Sequence, residues 1–331
     1  MRTIGWIQIH SKKYGGVLYN QKARDVLSKD FGLELLNLEA KYFKNLRYLK
    51  IPESFIYLFG LKGKKDLWVR DFYSTITLPF DRTKGKNLVM VHHVDFSGFP
   101  LISRPVFNFF ENCFFYRNLK QTDAIVTVSK YWKNYFLKRG FKDVYTIYNS
   151  FNLNDFNIDE QEILEFKKKN NLTGKPIVYI GNCQKAKGVV ESYQALKDLD
   201  VYLVTSAKRE VDIPTKHFNL EYQPHLKLLK ASTIVVTMSK FKEGWCRTSH
   251  EAMLLKTPVI GSGRGGMKEL LEGGGQIICE DFSNLKEQVE FLLENPVLRT
   301  KMGEQGYNFA KDFTQERFAR DWLKLIHNIL G

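Results

Sequence analysis

The sequence predicts an α/β protein built as two Rossmann-like domains facing across a cleft, and three observations predict it. First, Thr3–Ile9 is a short apolar run that leads through Gly15 and Gly16 into an apolar pattern at helical spacing, carried by Ala23, Val26 and Leu27. Second, a fresh strand, polar loop and helix begin at Pro176–Ile180, beyond the turn chemistry of Tyr148, Asn149, Ser150, Phe151 and Asn152. Third, Glu243–Glu269 runs loop, helix, strand, glycine turn and helix in succession. That succession sets side chains and free helix N–H groups along one rim of a sheet, where open α/β sheets bind ligands.

Taken in order, the first half opens with a strand, Gly15-Gly16 and a helix. Missing Cβ atoms let an anion approach the backbone, and the helix N-terminus offers N–H donors; a plain tight turn is the alternative. Gly32–Leu38 reads as a second strand. The segment from Lys41 to Lys65 mixes basic and aromatic residues, among them Tyr42, Phe43, Arg47, Tyr48, Phe55, Tyr57 and Phe59. It suits either an acceptor- or membrane-facing surface or a core helix with a solvated basic face. Asn87–Val91 is a buried strand that ends in His92, His93, Val94 and Asp95, so His92 leaves the sheet where a rim cleft would lie. Pro105–Tyr116 holds six aromatics in twelve residues. Phe107, Phe110, Phe114 and Phe115 there fit one helical face, for core packing or for docking a greasy acceptor. Asp123–Ser129, Tyr131–Arg139 and Asp143–Ile147 complete a strand–helix–strand unit.

In the second half, Pro176–Ile180 is a strand, Gly181–Gly188 a polar loop and Val189–Leu199 a helix. Val201–Thr205 and Ile234–Thr237 are strands. Glu251 is expected to open an apolar helix over Ala252–Leu255, followed by a strand at Pro258–Ile260 and a helix from Met267. After a last short strand, Gln276–Cys279, only helices follow.

A length of 331 residues suits about two domains. The net charge of +14 is lopsided. Met1–Ser150 has 25 Lys+Arg against 12 Asp+Glu, an excess of 13, and the remainder is balanced to within one. Such a surface suits a phosphorylated acceptor, anionic lipid or nucleic acid, although no nucleic-acid-binding motif is present. Cys113, Cys183, Cys246 and Cys279 are scattered without zinc-like spacing, as buried thiols in a reducing compartment would be. The N-terminus enters a strand without a signal-peptide core, and no run approaches the ~20 apolar residues that span a bilayer. A cytoplasmic protein, with peripheral contact at the inner membrane face as an option, is the expectation.

Two decoys are set aside. Gly261, Gly263 and Gly266 satisfy Gly-x-Gly-x-x-Gly between a strand and a helix. A dinucleotide site, however, needs a βαβαβ unit starting at that loop, and one short strand follows. Asp198 and Asp200 form an Asp-x-Asp at the wrong end of the sheet for chemistry and read as a solvated turn.

The chain resembles a family 4 glycosyltransferase with the GT-B fold over nearly its whole length. The residues that carry this are Glu243 and, eight positions on, Glu251-Ala252-Met253, then Thr257-Pro258-Val259-Ile260, Gly265-Gly266 and Glu269. Supporting pieces follow in order: Gly15-Gly16, His92, Thr122–Ser129, Tyr148-Asn149-Ser150, Gly181 and Lys187-Gly188. The resemblance implies a retaining, metal-independent enzyme that uses a nucleotide-sugar as co-substrate, with no other cofactor. It implies that Glu251 binds the ribose hydroxyls and that Glu243 lies at the donor sugar near the anomeric carbon. Backbone N–H groups of Gly244, Trp245, Cys246, Arg247 and Thr248 would bind the diphosphate or sugar hydroxyls. Lys187 would neutralise the leaving diphosphate, His92 would lie near the reacting centre, and Gly15, Gly16 and Gly181 would approach the donor.

The resemblance also implies a donor domain over 151–314 and an acceptor domain over 1–150, with the helix 315–331 packed back on the latter. The acceptor would be a glycan or a lipid-linked molecule in cell-surface polysaccharide or glycolipid synthesis. Two departures stand out. Asn182 replaces a diphosphate-binding arginine, with Lys185, Arg247 or Arg264 as candidate substitutes for its charge. Cys246 stands where glycine is common. Alternatives are a GT-B sugar-nucleotide epimerase and a catalytically inactive scaffold.

Overall fold

The computed structural model describes residues 1–9, 15–43, 46, 49–98 and 101–331, with backbone alone at Lys50 and Ile51. The polar link 10–14 and the predicted surface residues Arg47 and Tyr48 lie outside the described residues. The chain divides into two compact units: Met1–Phe96, Pro100–Ser150 and Gln315–Gly331 form the first, Ser97–Phe99 and Phe151–Thr314 the second.

The first unit carries β1 (Thr3–Gln8), β2 (Gly32–Asn37), β3 (Lys62–Arg70), β4 (Arg82–Val91), β5 (Ala124–Thr127) and β6 (Val144–Thr146). They form a parallel sheet in the order β2-β1-β3-β4-β5-β6. Strand order reverses between β1 and β3, so the crevice of this unit opens at their carboxyl ends. Strand β3 escapes the sequence reading because its first half, Lys62–Asp66, is mostly exposed and lysine-rich, while Leu67–Arg70 is buried. The helix Gly15–Leu27 buries Tyr19, Ala23 and Leu27 at i, i+4, i+8 spacing. Against it packs the last helix, Gln315–Leu330, through Phe318 and Trp322; the Tyr19 ring meets Phe318 edge-on at 5.1 Å.

Polar interactions fix the shape of this unit at two places. The Arg70 guanidinium, fully buried, donates to Asp81 at 2.7 Å, Asn87 at 2.6 Å, Thr83 at 2.6 Å and the Ser74 carbonyl at 3.0 Å. At the second, the Glu53 carboxylate accepts the backbone N–H groups of Lys41, Tyr42 and Phe43 and the Tyr57 hydroxyl, tying that basic loop to the helix Lys50–Phe59. Burial alone would raise the Glu53 pKa, but these four donors outweigh it and hold it at about 2. A carboxylate with a depressed folded pKa contributes stability above its unfolded value, near 4.3, and loses it as pH falls toward 2. Melting curves should therefore show wild type more stable than Glu53→Gln at neutral pH, with the gap closing as the buffer is taken from about pH 5 down toward pH 2. A gap independent of pH would contradict this.

The aromatic stretch is split into a helix Arg104–Phe110, a π turn Glu111–Phe115 and a helical turn Tyr116–Leu119. The extra residue of the π turn shifts the face, so Phe115 alone is fully buried, against Phe72 at 4.7 Å. Phe110 and Phe114 pack against that core and Phe107 is partly buried against Phe96 at 5.0 Å, so the four residues expected on one face are all at least partly buried, while Phe109, outside that set, is exposed.

The second unit carries β7 (Ile177–Asn182), β8 (Tyr202–Ser206), β9 (Lys216–Phe218), β10 (Ile234–Thr237), β11 (Val259–Gly261) and β12 (Ile277–Ile278). Its parallel order is β12-β11-β10-β7-β8-β9. From the β9 edge this is the 3-2-1-4-5-6 arrangement of dinucleotide-binding sheets, and its switch point lies between β7 and β10. Both strands are continuous apolar runs buried on two faces. A single strand, β12, follows the Gly261–Gly266 loop, so that loop does not begin a dinucleotide half. Asp200 pairs with Lys175 on the exposed turn before β8, at the amino end of the sheet. No helix among the described residues is long and apolar enough to cross a membrane.

Candidate active site

The switch point of the second unit holds a small pocket lined by Gly181, Asn182, Lys187, Thr237, Ser239, Glu243, Cys246 and Thr248. Three loops meet there. The first leaves β7 and makes a tight 3-10 turn, Lys185–Lys187. It is seated on the chain after β10 by a hydrogen bond from Lys240 N–H to the Ala186 carbonyl at 2.9 Å. Gly188 ends the turn at φ +72°, and a Cβ there would lie 2.2 Å from the Met238 carbonyl oxygen. Only glycine lets the two backbones come this close.

The second loop carries Glu243. Its backbone is clamped by the glycine turn after β11: Glu243 N–H donates to the Arg264 carbonyl at 3.1 Å, and Gly266 N–H donates to the Glu243 carbonyl at 2.8 Å. Gly265 sits at φ +69°, where a Cβ would fall 2.5 Å from the Glu243 carbonyl oxygen. The glycine pattern that imitates a cofactor loop thus holds Glu243 in place. The Glu243 carboxylate, mostly buried, accepts from Lys187 Nζ at 2.6 Å and from Ser239 Oγ at 2.5 Å. Burial pulls the Lys187 pKa down, but the negative charge of Glu243 outweighs it and the net shift is upward, so the ammonium stays charged. Its Nζ also lies 4.8 Å from the centre of the Phe241 ring.

The third element is the helix Arg247–Leu254. It starts one turn earlier than the apolar pattern implies, so Glu251 stands in its second turn instead of opening it. The misplacement has a physical cause: Ser249, His250 and Glu251 are polar yet buried, which hides the helical period. Cys246 precedes the helix at φ +57°, a left-handed conformation. A non-glycine residue spends about 1–2 kcal/mol there, which explains why glycine suits this position. Burial pushes the Cys246 thiol up to about 11, so it is not a nucleophile. No side chain caps the helix, and its first-turn N–H groups border the pocket beside Lys187, an arrangement that favours an anion.

Glu251 is buried and accepts from Arg247 Nη2 at 2.9 Å through Oε1; Oε2 accepts nothing from the described residues. Trp245 turns its indole into the core, donating to His250 Nδ1 at 3.0 Å and packing on Phe313, so its side chain faces away from the pocket. His250 in turn bonds the Ala310 carbonyl at 3.1 Å and stacks on Phe151 at 4.2 Å. Burial holds His250 at about 3, neutral, as a structural pin. Gly244 is buried in the Glu243 loop. Of the candidate substitutes for an arginine at 182, Arg247 is paired with Glu251, Arg264 donates to the Lys240 carbonyl at 2.8 Å, and Lys185 is exposed on its turn.

Gly15, Gly16 and His92 belong to the first unit. The two glycines are the first residues of the helix Gly15–Leu27. His92 follows β4, with Nε2 3.1 Å from Asn20 Oδ1 and its ring 5.2 Å from Tyr19. Burial, with a smaller contribution from His93, lowers its pKa to about 3, so the imidazole is neutral. Thr237 and Ser239 went unnoticed in the sequence. The available signal is their place at the end of, and just after, a buried strand at a sheet reversal, which requires the strand order to be known.

Residues 160–309 match the family model described as Glycosyl transferases group 1. An uncharacterized glycosyltransferase of Methanocaldococcus jannaschii is 27% identical over 233 residues, 65% of this chain and 62% of that protein. N-acetyl-alpha-D-glucosaminyl L-malate synthase of Bacillus anthracis is 24% identical over 241 residues, 64% of this chain and 61% of its own length. The matched region therefore spans about three fifths of each relative. Among solved structures, Anabaena HepE in complex with UDP and glucose superposes with a TM-score of 0.73 at 14% identity, covering 99% of this chain and 100% of that one. Sucrose-phosphate synthase from Thermosynechococcus elongatus gives 0.77 at 15% identity, covering 99% of each chain. The fold is the two-domain α/β GT-B architecture.

Proposed function

We propose that this chain is a retaining, metal-independent family 4 glycosyltransferase that takes its sugar from a nucleotide-sugar bound at the switch point of the second unit. The observation that carries the reading is the cluster of Lys187, Glu243 and an uncapped helix N-terminus in one pocket. Each part matches a need of the chemistry. Departure of a nucleoside diphosphate builds negative charge on phosphate oxygens, which Lys187 and the helix N–H groups offset without reorganising. Glu243 faces the donor sugar near its anomeric carbon. Glu251, with Oε2 unengaged, accepts from the vicinal ribose hydroxyls. The roles of Gly15, Gly16 and His92, which lie on the first unit, rest on the resemblance alone; the neutral His92 imidazole would act as a hydrogen-bonding group.

The acceptor is a glycan or lipid-linked molecule held by the first unit, in cell-surface polysaccharide or glycolipid synthesis on the cytoplasmic side. The excess of 13 positive charges in Met1–Ser150, with exposed Ile56, Phe59, Ile102 and Phe109, supports a peripheral contact with anionic membrane. Co-sedimentation with anionic vesicles that fails at low salt would remove that part.

The test is a panel of UDP-, GDP- and ADP-sugars, with chelator present, with and without membrane extract as acceptor source. Diphosphate release that requires the extract, with retained anomeric configuration in the product, is expected. Interconversion of sugar nucleotides without acceptor would identify an epimerase instead, and no turnover of any donor would identify an inactive relative.

A further inference from the structure

Asn182 stands where the resemblance expects an arginine, and the structure shows how its amide is held. Its Oδ1 accepts from the Tyr179 hydroxyl at 2.8 Å and from Ser206 Oγ at 3.4 Å. The two hydroxyls are themselves 2.8 Å apart. Tyr179 and Ser206 are both buried, whereas Asn182 is partly exposed and lines the pocket. Burial keeps the Tyr179 phenol far above its ordinary pKa, so it remains a protonated donor. With the carbonyl end of the amide engaged from behind, the Nδ2 end is left for the pocket, and among the described residues no protein group accepts from it. The ladder pairing of β7 with β8 shifts between Tyr179 and Asn182, which lets two residues three apart converge on one point.

We infer that Asn182 donates an Nδ2–H hydrogen bond to a phosphate oxygen of the donor's diphosphate, and that Tyr179 and Ser206 are positioning residues that set the polarity of its amide. The inference rests on the donor-pocket reading above. A neutral amide free to rotate presents an oxygen or a nitrogen to the pocket. An oxygen would repel phosphate, so a fixed polarity is what makes asparagine serviceable in the place of a cation. Lys187 then supplies the positive side-chain charge among the pocket-lining residues, and Asn182 supplies direction.

The test is calorimetric binding of UDP, GDP and ADP, each against its own nucleoside, to the full chain. For the diphosphate that binds, Asn182→Asp should weaken affinity by roughly tenfold or more, since a hydrogen bond to a charged group becomes a repulsion. Nucleoside affinity should be unchanged. Tyr179→Phe should weaken diphosphate binding by a few-fold, again sparing the nucleoside, and should have no further effect in an Asn182→Ala background. A merely structural role for Tyr179 would weaken both ligands and would persist in that background. Unchanged diphosphate affinity in Asn182→Asp, or a Tyr179→Phe effect independent of residue 182, overturns the inference. If Lys187→Ala also leaves diphosphate affinity unchanged, the donor-pocket reading fails as well; if Lys187→Ala weakens it and the Asn182 variants do not, this inference alone fails.

Discussion

Lys187→Ala should lower kcat by about 10²–10³-fold at saturating donor, measured at a temperature where the variant is folded. In the unliganded pocket the ammonium balances the buried Glu243 carboxylate at 2.6 Å, so its removal also costs stability, and rates are compared where each variant is folded. In the reaction the same ammonium faces a departing diphosphate, and a pre-placed cation acts most strongly on charge that appears in the transition state. Glu243→Gln keeps the shape and the hydrogen bond from Ser239 but removes the carboxylate, and it should cost a comparable factor. Because the two groups touch, the double variant should be far less impaired than the product of the single effects. Initial rates across the four variants measure this. Wild-type turnover in either single variant would contradict the assignment of the site.

Arg70→Met should destabilise the first unit by about 3–5 kcal/mol without changing diphosphate binding in the second. Arg70 is wholly enclosed and makes four hydrogen bonds across β3, β4 and the turn between them. Its removal leaves the Asp81 carboxylate, 2% exposed, without its counter-charge. An uncompensated buried charge is the costly state, so the paired replacement Arg70→Met with Asp81→Leu should recover much of the loss. Denaturant titration of the first-unit transition measures both effects. A double variant as unstable as the single one would show that the hydrogen bonds to Asn87, Thr83 and Ser74 carry the stability instead of the charge pairing.

How much of this was legible in the sequence depends on what each element exposes. Strands β1, β5, β7 and β10 and the buried end of β4, Leu88–Val91, are apolar runs closed by polar turns, and such runs announce themselves; the exposed basic start of β4 does not. Strand β3 does not, because half of it lies in solvent and is written in lysine; β9 is three half-buried residues with no period to detect. Glu243 and Glu251 stand out by type and spacing, yet the start of the helix that bears Glu251 is hidden because buried serine and histidine interrupt its apolar face. The clamp of Gly265 on Glu243 joins residues 22 apart, and the hold of Tyr179 and Ser206 on Asn182 joins neighbouring strands. Pairings of this kind depend on strand order, which composition and periodicity do not carry. Thr237 and Ser239 became site residues for the same reason.

The most direct test of the account is calorimetry of nucleoside diphosphate with wild type, Lys187→Ala and Glu251→Ala. One site per chain is predicted in wild type, with affinity for the matching diphosphate reduced roughly tenfold or more in each variant, as expected when a hydrogen bond to a charged group is lost. Lys187→Ala should spare the nucleoside and Glu251→Ala should weaken it. Diphosphate binding unchanged in both variants would place the donor elsewhere and contradict the account.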